Sequence, residues 1–495
     1  MKQNKAFKNS AFSIAQTIVL AIVSIVLFKM SVNIVGLEKT GVWSYLTSIN
    51  SIAGFGSFGF SNAIIYFLPK YTVTSNNKIA QLINTSFVSV FFVSIVLCCI
   101  SYAVFYIIIP HTVAAQLIKE AYFLLPFIVV AYFFSGLSSV YISALDGLLL
   151  FQLRAKINIV SYFIFFIIGF LLLKKMGVAS IAIAQIIQNI FLLVVTYWHV
   201  KKNIAHYHFS FTFNSIIFKE VFKFGFNFQL ISITQIISEP FMKSMITKFG
   251  GAAYTAIFDF IIKLLSISRN LIIAANQTIV PQLTIYKGLK KITTLKTLYK
   301  ANFKIVLFLS ILLFLTPLVF SDALSIFFLN EKSNLFCFIL LNVSLGLLIN
   351  AFALPAHFHF LGIGQIRWNV LNNILTAALM LVSAPLLGYF FQAKYIVLSW
   401  SISTMAGPIL LMYVMHKQYK LSLNIFYSWH NLLLIISIII AIVVNKFVSN
   451  SILPTNQVYI NVAVSLIVYL AIVILPIKSH PIVIKFLQKH FNQNK

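Results

Sequence analysis

The chain has 495 residues, of which 60% are apolar and 9% are charged, and its mean hydropathy is +0.98. Soluble domains carry about a quarter charged residues, so this composition excludes a soluble globular protein and indicates a chain folded in a bilayer. The formal net charge of +28 comes mainly from lysines in short connections between apolar runs, a distribution typical of membrane topology and not of nucleic-acid binding.

The N-terminal stretch "MKQNKAFKNSAFSIAQTIVLAIVSIVLF" has the basic start and apolar core of a signal peptide, but no small-residue cleavage site follows it. We interpret it as the first of fourteen membrane spans, each needing about 20 apolar residues. The sequence therefore predicts an all-α polytopic membrane protein with about 14 transmembrane helices. The spans lie near residues 10–28, 43–68, 81–109, 120–146, 157–173, 178–198, 226–247, 252–283, 303–321, 333–361, 370–392, 396–415, 428–446 and 456–477.

The lysines and arginines between the spans predict the orientation. With the N-terminus inside, 24 of them fall on the inner side and 9 on the outer side. Cytoplasmic loops carry the excess of basic residues, so we expect both termini in the cytoplasm. The connection "KKMG" at 174–177 is the exception, and its lysines can reach the interface along their flexible side chains.

Two segments indicate an internal repeat. Setting "IVGLEKTGVWSYLTSI" (34–49) over "KFGGAAYTAIFDFIIKL" (248–264) at a shift of 214 pairs Gly36 with Gly250 and Asn62 with Asn276. The repeat predicts two six-span lobes in parallel orientation, residues 1–205 and 206–420. Residues 421–495 add two spans and a basic C-terminal tail. Transporters built from repeats hold their substrate between the lobes and move by alternating access.

The seventh and eighth spans contain charged residues, which are expensive inside a bilayer. Glu239 and Lys243 are four residues apart, as are Asp259 and Lys263, so each pair shares a helix face. Two interpretations remain open. The pairs either neutralise a polar stripe or line a water-filled cavity. In the cavity, Arg269, with Lys243 and Lys263, would attract a pyrophosphate or an acidic sugar, because a guanidinium binds two oxygens at once.

Four further residues are candidates for a gate or an interlobe contact. Pro240 frees a backbone carbonyl and would kink or gate the seventh span, unless it only marks the start of the helix. Asp146 ends the fourth span and Arg154 follows it, so they either fix a loop by an ion pair or form a gate. Arg367 occupies the equivalent loop of the second lobe, with the same two interpretations.

Other motifs carry weaker signals. "GFGSFG" (54–59) fits a dinucleotide-binding pattern, but it lies inside an apolar span, where glycines allow close helix packing. No ATP-binding "GxxxxGK[ST]" occurs, and the cysteines lie in apolar runs. "HFH" (357–359) is more typical of packing than of proton coupling or acyl transfer. His199, His206 and His208 do not form a recognisable ligand set, so we expect no metal and no cofactor.

Several stretches together resemble the polysaccharide (O-antigen-type) flippases of the multidrug/oligosaccharidyl-lipid/polysaccharide exporter superfamily. The resemblance runs from about residue 9 to 420 and departs from the family pattern at Thr255 and Phe258, and in having His357 and His359. The stretches are "VGLEKTGVWSYLTSI", "GFSNAIIYFLPKY", "SALDGLLLFQLRAK" (143–156), "SRNLIIAANQTIVPQL" (268–283) and "PAHFHFLGIGQIRWNVLNN" (355–373).

The resemblance implies a non-enzymatic flippase that moves an undecaprenyl-pyrophosphate-linked oligosaccharide across the bacterial inner membrane. Its partners would be that lipid-linked substrate, membrane lipids, a coupling ion (H+ or Na+) and a polysaccharide polymerase. A cation-coupled multidrug exporter of the same superfamily is the alternative. A membrane polymerase or glycosyltransferase is disfavoured, because the chain has no large outer loop and no two carboxylates two residues apart.

Overall fold

The computed structural model describes residues 2–72, 76–204, 207–277, 279–391, 393–421, 428–451 and 458–484. All regular secondary structure in these ranges is helical, which confirms the predicted fold class. The helices are α1 (Lys2–Val35), α2 (Leu37–Leu46), α3 (Ile49–Thr72), α4 (Asn76–Thr112), α5 (Ile118–Gly147), α6 (Phe151–Met176), α7 (Ala179–Asn203), α8 (Ser215–Gln277), α9 (Val280–Gly288), α10 (Ile292–Val319), α11 (Ser321–Leu329), α12 (Asn334–Phe352), α13 (Leu354–Gly362), α14 (Arg367–Phe391), α15 (Ala393–Gln418), α16 (Trp429–Ser451) and α17 (Val458–Lys478), with a 3-10 turn at Ala115–Leu117.

Long apolar runs become helices because a backbone in lipid must satisfy its own hydrogen bonds. Within the described residues, eleven helical segments are long and apolar enough to cross a membrane, and they coincide with eleven predicted spans. The other three predicted spans coincide with α3 and with the two parts of α8, which bends at Gly251. The "GFGSFG" stretch lies inside α3, so the strand that a dinucleotide site needs does not precede it.

The chain divides into two compact units. The first comprises Met1–Phe260 and Ala384–Ile396. One of its apolar cores joins α3, α4, α5 and α7 around buried residues such as Ile64, Leu82 and Val140. A second core joins α2, α5 and α7 around Tyr45 and Leu125. The Lys243 region of α8 belongs to this unit.

The second unit comprises Ile261–Ser383 and Val397–Lys495, and its described helices include the two C-terminal spans. Buried amides and hydroxyls join α16 and α17 to the rest of the unit, as is common where lipid removes the hydrophobic drive for packing. Asn445 of α16 donates to the Val319 carbonyl at 2.7 Å, and Ser465 of α17 donates to Asn445 at 3.1 Å. The basic tail beyond residue 484 lies outside the described residues.

A buried histidine follows α17. The His480 Nδ1 accepts a hydrogen bond from the Ile482 N–H at 3.3 Å, so Nε2 carries the proton and donates to Asn431 Oδ1 at 2.9 Å. The imidazole also stacks on Phe308, with 4.2 Å between ring centroids. This geometry requires a neutral ring, because a second proton on Nδ1 would displace the bond from Ile482.

The lobe boundaries expected at residues 205 and 420 come from a sequence repeat, whereas the compact units come from spatial contacts. The lobes of 1–205 and 206–420, with 421–495 appended, therefore stay a prediction.

Candidate functional site

Two glycine turns organise the charged part of the first unit. Gly251, at the bend of α8, has φ 81° and ψ 172°, and Gly36, between α1 and α2, has φ 98° and ψ 159°. Only glycine adopts these angles without strain. Thr40 donates to the Gly36 carbonyl at 2.8 Å, and Thr255 donates to the Gly251 carbonyl at 3.4 Å. The repeat is thus visible in the backbone, but Gly36 matches Gly251 and not Gly250, one residue beyond the expected shift.

The two turns pack directly against each other. A Cβ atom added to Gly41 of α2 would lie 1.8 Å from the carbonyl oxygen of Ala252, so the two backbones touch at this point. The Phe28 ring of α1 stacks on Phe260 with 4.2 Å between ring centroids. The first two helices therefore pack against α8 at its bend and along the part that follows it.

Lys243 is the centre of a buried ionic cluster beside these turns. Its ammonium lies 2.7 Å from an Asp259 carboxylate oxygen and 3.1 Å from a Glu239 carboxylate oxygen. It also donates to the backbone carbonyl of Ser44 at 3.3 Å. Lys243 and Asp259 each lie eight residues from Gly251, about 12 Å along a helix at 1.5 Å per residue. The bend therefore brings them level with each other.

This arrangement determines what the cluster can bind. A lysine ammonium has three N–H donors, and the protein provides an acceptor for each of them. The Lys243 side chain is 4% exposed and that of Asp259 is 5% exposed, whereas that of Glu239 is 50% exposed. In this conformation the cluster therefore presents a carboxylate to its surroundings, while its ammonium joins the two parts of α8 to α2.

Arg269, in the second part of α8, has a different environment. Its Nε–H donates to the Asn350 side-chain oxygen at 3.0 Å, and the side chain is half-buried. Among the described residues, no carboxylate lies within salt-bridge distance of the guanidinium. Asn350 of α12 occupies Nε, and no residue in the described part of the chain bonds to the two terminal NH2 groups. These two groups form a fork that matches two phosphate oxygens.

The other predicted cavity and gate residues have simpler surroundings. Lys263 is exposed on α8, one turn after Asp259. Pro240 is buried inside α8, 25 residues after its start at Ser215, so it does not mark the start of the helix. Arg367 is exposed at the beginning of α14, and its guanidinium lies 5.0 Å from the centre of the Trp368 ring.

Asp146 and Arg154 form an ion pair across the turn between α5 and α6. The Arg154 Nη1 donates to an Asp146 carboxylate oxygen at 2.8 Å, and the Asp146 residue is 8% exposed. Leu149, within the turn, has a φ of 59°, a conformation rare for a side-chain-bearing residue. The pair therefore fixes this turn, and its proposed role as a gate stays a prediction.

The "HFH" stretch lies in α13. His359 is 1% exposed, and its Nε2 lies 2.6 Å from the Tyr419 hydroxyl oxygen. Its ring also packs edge-on against Tyr299, with centroids 5.7 Å apart. These contacts support the packing interpretation. His206, considered with His199 and His208 for metal binding, lies outside the described residues.

Sequence reasoning missed three participants. Asn350 orients Arg269. A polar residue within an apolar run is the sequence feature that could have marked Asn350 as part of the site. The Ser44 carbonyl is a backbone acceptor and has no sequence signal. The contact between Gly41 and Ala252 joins residues 211 positions apart, although Gly41 belongs to the first motif of the family resemblance.

These features define a multi-pass helical membrane protein. The family model described as "Polysaccharide biosynthesis protein" matches residues 34–288, more than half of the chain. The chain therefore belongs to this family of polysaccharide biosynthesis proteins. No curated protein matches the sequence.

Solved structures show the same fold. The lipid II flippase MurJ in an inward closed conformation is 15% identical, with a TM-score of 0.72 over 94% of this chain and 97% of that one. An inward-facing multidrug resistance MATE transporter is 15% identical, with a TM-score of 0.69 over 82% and 94%. A transporter from Pyrococcus furiosus is 12% identical, with a TM-score of 0.58 over 85% and 97%. The chain therefore shares its fold with these solved flippase and transporter structures.

Proposed function

We propose that this protein flips an undecaprenyl-pyrophosphate-linked oligosaccharide, such as an O-antigen or a similar surface-polysaccharide repeat unit, across the bacterial inner membrane. The observation that carries the proposal is Arg269. The chain has three arginines. Arg154 is paired with Asp146 and Arg367 is exposed beside Trp368, whereas Arg269 lies half-buried in α8 without an ion pair among the described residues.

A cation held in a membrane span needs a compensating charge or water. The diphosphate of a lipid-linked sugar supplies that charge, and the terminal NH2 groups of Arg269 have the geometry to bind two of its oxygens. Asn350 fixes the guanidinium through Nε and so reduces the rotamer entropy lost on binding. Lys263, exposed on the same helix, is the second cation that we place in the binding cavity.

Lys243 then acts in the transport cycle in a way different from direct substrate binding. We propose that it holds the two glycine turns, at Gly36 and Gly251, together while the outer side is closed. Its three donors are satisfied at the same time by Glu239, Asp259 and the Ser44 carbonyl. Opening the outer side would separate α2 from the bend of α8 and break the Ser44 contact. Pro240, within the same helix, would provide the flexible point.

The cycle that we propose is alternating access of two lobes around the substrate, with the lipid tail left in the bilayer. Asp146 with Arg154, and Arg367 in the second lobe, would stabilise the cytoplasmic loops in one of the two states. Both termini would be cytoplasmic. An H+ or Na+ gradient would drive the cycle, and a polysaccharide polymerase would receive the product.

The test is transfer of lipid-linked sugar in cells that lack their own flippase, at equal protein abundance. We expect Arg269→Ala to abolish transfer and Arg269→Lys to restore only part of it, because an ammonium lacks the planar fork. Asn350→Ala should lower transfer by about tenfold, which corresponds to about 1.4 kcal/mol for one hydrogen bond to a charged group.

The matched control is Asn342→Ala on the same helix, because the Asn342 amide donates to the Phe338 carbonyl at 2.8 Å within α12. We expect this variant to transfer at the level of the parent. Full transfer in both Arg269 variants would refute the substrate assignment.

A cation-coupled multidrug exporter is the second candidate, and the half-exposed carboxylate of Glu239 favours it. A cationic drug would bind a carboxylate and would not bind beside Arg269. If this function is correct, Glu239→Gln removes drug resistance on expression, while Arg269→Ala leaves it intact.

A further inference from the structure

The connection between α7 and α8 contains an unusual aromatic row. Residues 207–214, "YHFSFTFN", have no regular secondary structure. Phe209, Phe211 and Phe213 alternate with polar residues and are 41%, 55% and 53% exposed. The hydroxyls of Ser210 and Thr212 lie 2.9 Å apart, as expected of alternate residues on one side of an extended chain. The three phenylalanines therefore belong to the opposite side.

This 207–214 segment is fixed to the start of α4. The Tyr207 hydroxyl donates to the Asn84 side-chain oxygen at 3.0 Å, and the Asn84 amide nitrogen donates to Ser210 Oγ at 2.9 Å. The backbone N–H of Asn214 donates to Thr85 Oγ1 at 3.2 Å. Both ends and the middle of the segment are thus anchored by buried polar side chains, and the phenylalanines have a defined position.

That position is the edge of the lipid-facing surface of α4. Residues 82–90 of α4 are all buried, and the exposed apolar surface begins at Phe92, which is 54% exposed. The Phe211 ring lies 6.0 Å from the Phe92 ring and 5.7 Å from the Phe91 ring, centroid to centroid. The aromatic row is therefore level with the boundary between the covered and the lipid-exposed parts of α4.

Two requirements place the segment at the membrane interface. Its non-helical backbone needs water for most of its N–H and C=O groups, so it does not lie in the hydrocarbon core exposed to lipid. Its exposed phenylalanines need apolar surroundings. The boundary between headgroups and acyl chains supplies both, as it does for other interfacial anchors.

The charges around the segment select the type of headgroup. Lys201 and Lys202 at the end of α7, and Lys219 and Lys223 in the first turns of α8, are all exposed. Glu220 is the carboxylate among them, and one of its oxygens accepts a hydrogen bond from the Tyr71 hydroxyl at 2.9 Å. Four lysines around one carboxylate produce a positive rim, which attracts anionic lipid headgroups.

We propose that the 207–214 segment, with these four lysines, is a binding surface for anionic phospholipid. The phenylalanines insert among the upper acyl chains, and the lysines bind the headgroup phosphates. The surface lies outside the charged residues of the transport site, so the proposal does not depend on which substrate is moved.

The test uses the full-length protein in nanodiscs of mixed phosphatidylcholine and phosphatidylglycerol. A Phe211→Trp variant adds one tryptophan to the five native ones, and its added emission is read as the difference from the parent. Lipids brominated near the headgroup should quench this emission more than lipids brominated at the chain ends. Quenching by brominated phosphatidylglycerol should exceed quenching by brominated phosphatidylcholine, because the protein prefers the anionic lipid. The expected preference is about fivefold for each lysine that reaches a headgroup, which is the ratio that corresponds to about 1 kcal/mol.

Replacing the four lysines with glutamine should remove the preference while leaving the quenching itself. The matched control replaces Lys290 and Lys291, between α9 and α10, and Lys296 and Lys300, in the first turns of α10, and should retain the preference. Equal quenching of the Phe211→Trp emission by both brominated lipids, with the four lysines in place, would overturn the proposal. So would the absence of added quenching in both Phe211→Trp and Phe213→Trp, which would mean that a second copy or another protein covers the surface.

Discussion

The Lys243 cluster allows a quantitative prediction about stability. Replacing Lys243 by Met leaves Asp259, whose side chain is 5% exposed, without its nearest cation. At an effective dielectric constant of about 20, an N–O distance of 2.7 Å corresponds to about 6 kcal/mol of attraction before desolvation is subtracted. Breaking a buried pair from one side destabilises proteins by about 3–5 kcal/mol. We expect this loss for Lys243→Met.

Glu239 should behave differently because its side chain is 50% exposed. Water and salt screen such a contact, so Glu239→Gln should lower the free energy of unfolding by less than about 1 kcal/mol. The double variant Lys243→Met with Asp259→Asn should recover most of the loss, because the buried charge is then removed. Together, the changes in the free energy of unfolding of the three variants distinguish the contribution of the buried contact between Lys243 and Asp259 from that of the exposed contact between Lys243 and Glu239.

The assay is equilibrium unfolding in mixed micelles titrated with sodium dodecyl sulfate, which yields a free energy of unfolding. Lys248→Met provides the control, because Lys248 is exposed on the same helix, and its change should stay within about 0.5 kcal/mol. A loss below 1 kcal/mol for Lys243→Met, or no recovery in the double variant, would refute the reasoning.

Two further predictions concern packing and pH. Gly41→Ala forces apart the contact between α2 and α8, so we expect the free energy of unfolding to fall by about 1–3 kcal/mol and transfer to be reduced. Gly288→Ala is the control, because no atom lies within 4 Å of its added Cβ, and it should change neither quantity. Burial, with His430 nearby, lowers the pKa of His480 below its ordinary 6.5. The unfolded chain therefore takes up the proton first, and the stability present above pH 6.5 falls as the pH drops towards the folded pKa. Unfolding measured at several pH values should show a smaller decline in His480→Phe than in the parent, and equal declines in the two proteins would contradict the assignment.

Part of the candidate site was accessible from the sequence. The i, i+4 spacing predicted the contact between Glu239 and Lys243, and the structure shows it. The same spacing placed Asp259 with Lys263 and did not indicate the 2.7 Å contact between Asp259 and Lys243. That contact depends on the bend at Gly251, which folds the helix back on itself. Helical periodicity describes one straight helix and does not contain this information.

The sequence alone determined the class of fold and the positions of the apolar helices that are long enough to cross a membrane. Each span satisfies its own backbone hydrogen bonds, so apolar length and flanking charge are local properties that can be read without knowing the neighbours. The tertiary structure decided which charged groups are bonded to other protein groups and which can bind a ligand. Lys243 forms ion pairs with Asp259 and Glu239 and a hydrogen bond to the Ser44 carbonyl, whereas Arg269, among the described residues, bonds to the Asn350 oxygen alone. These outcomes depend on helix packing that brings together residues remote in sequence, and no local pattern encodes them.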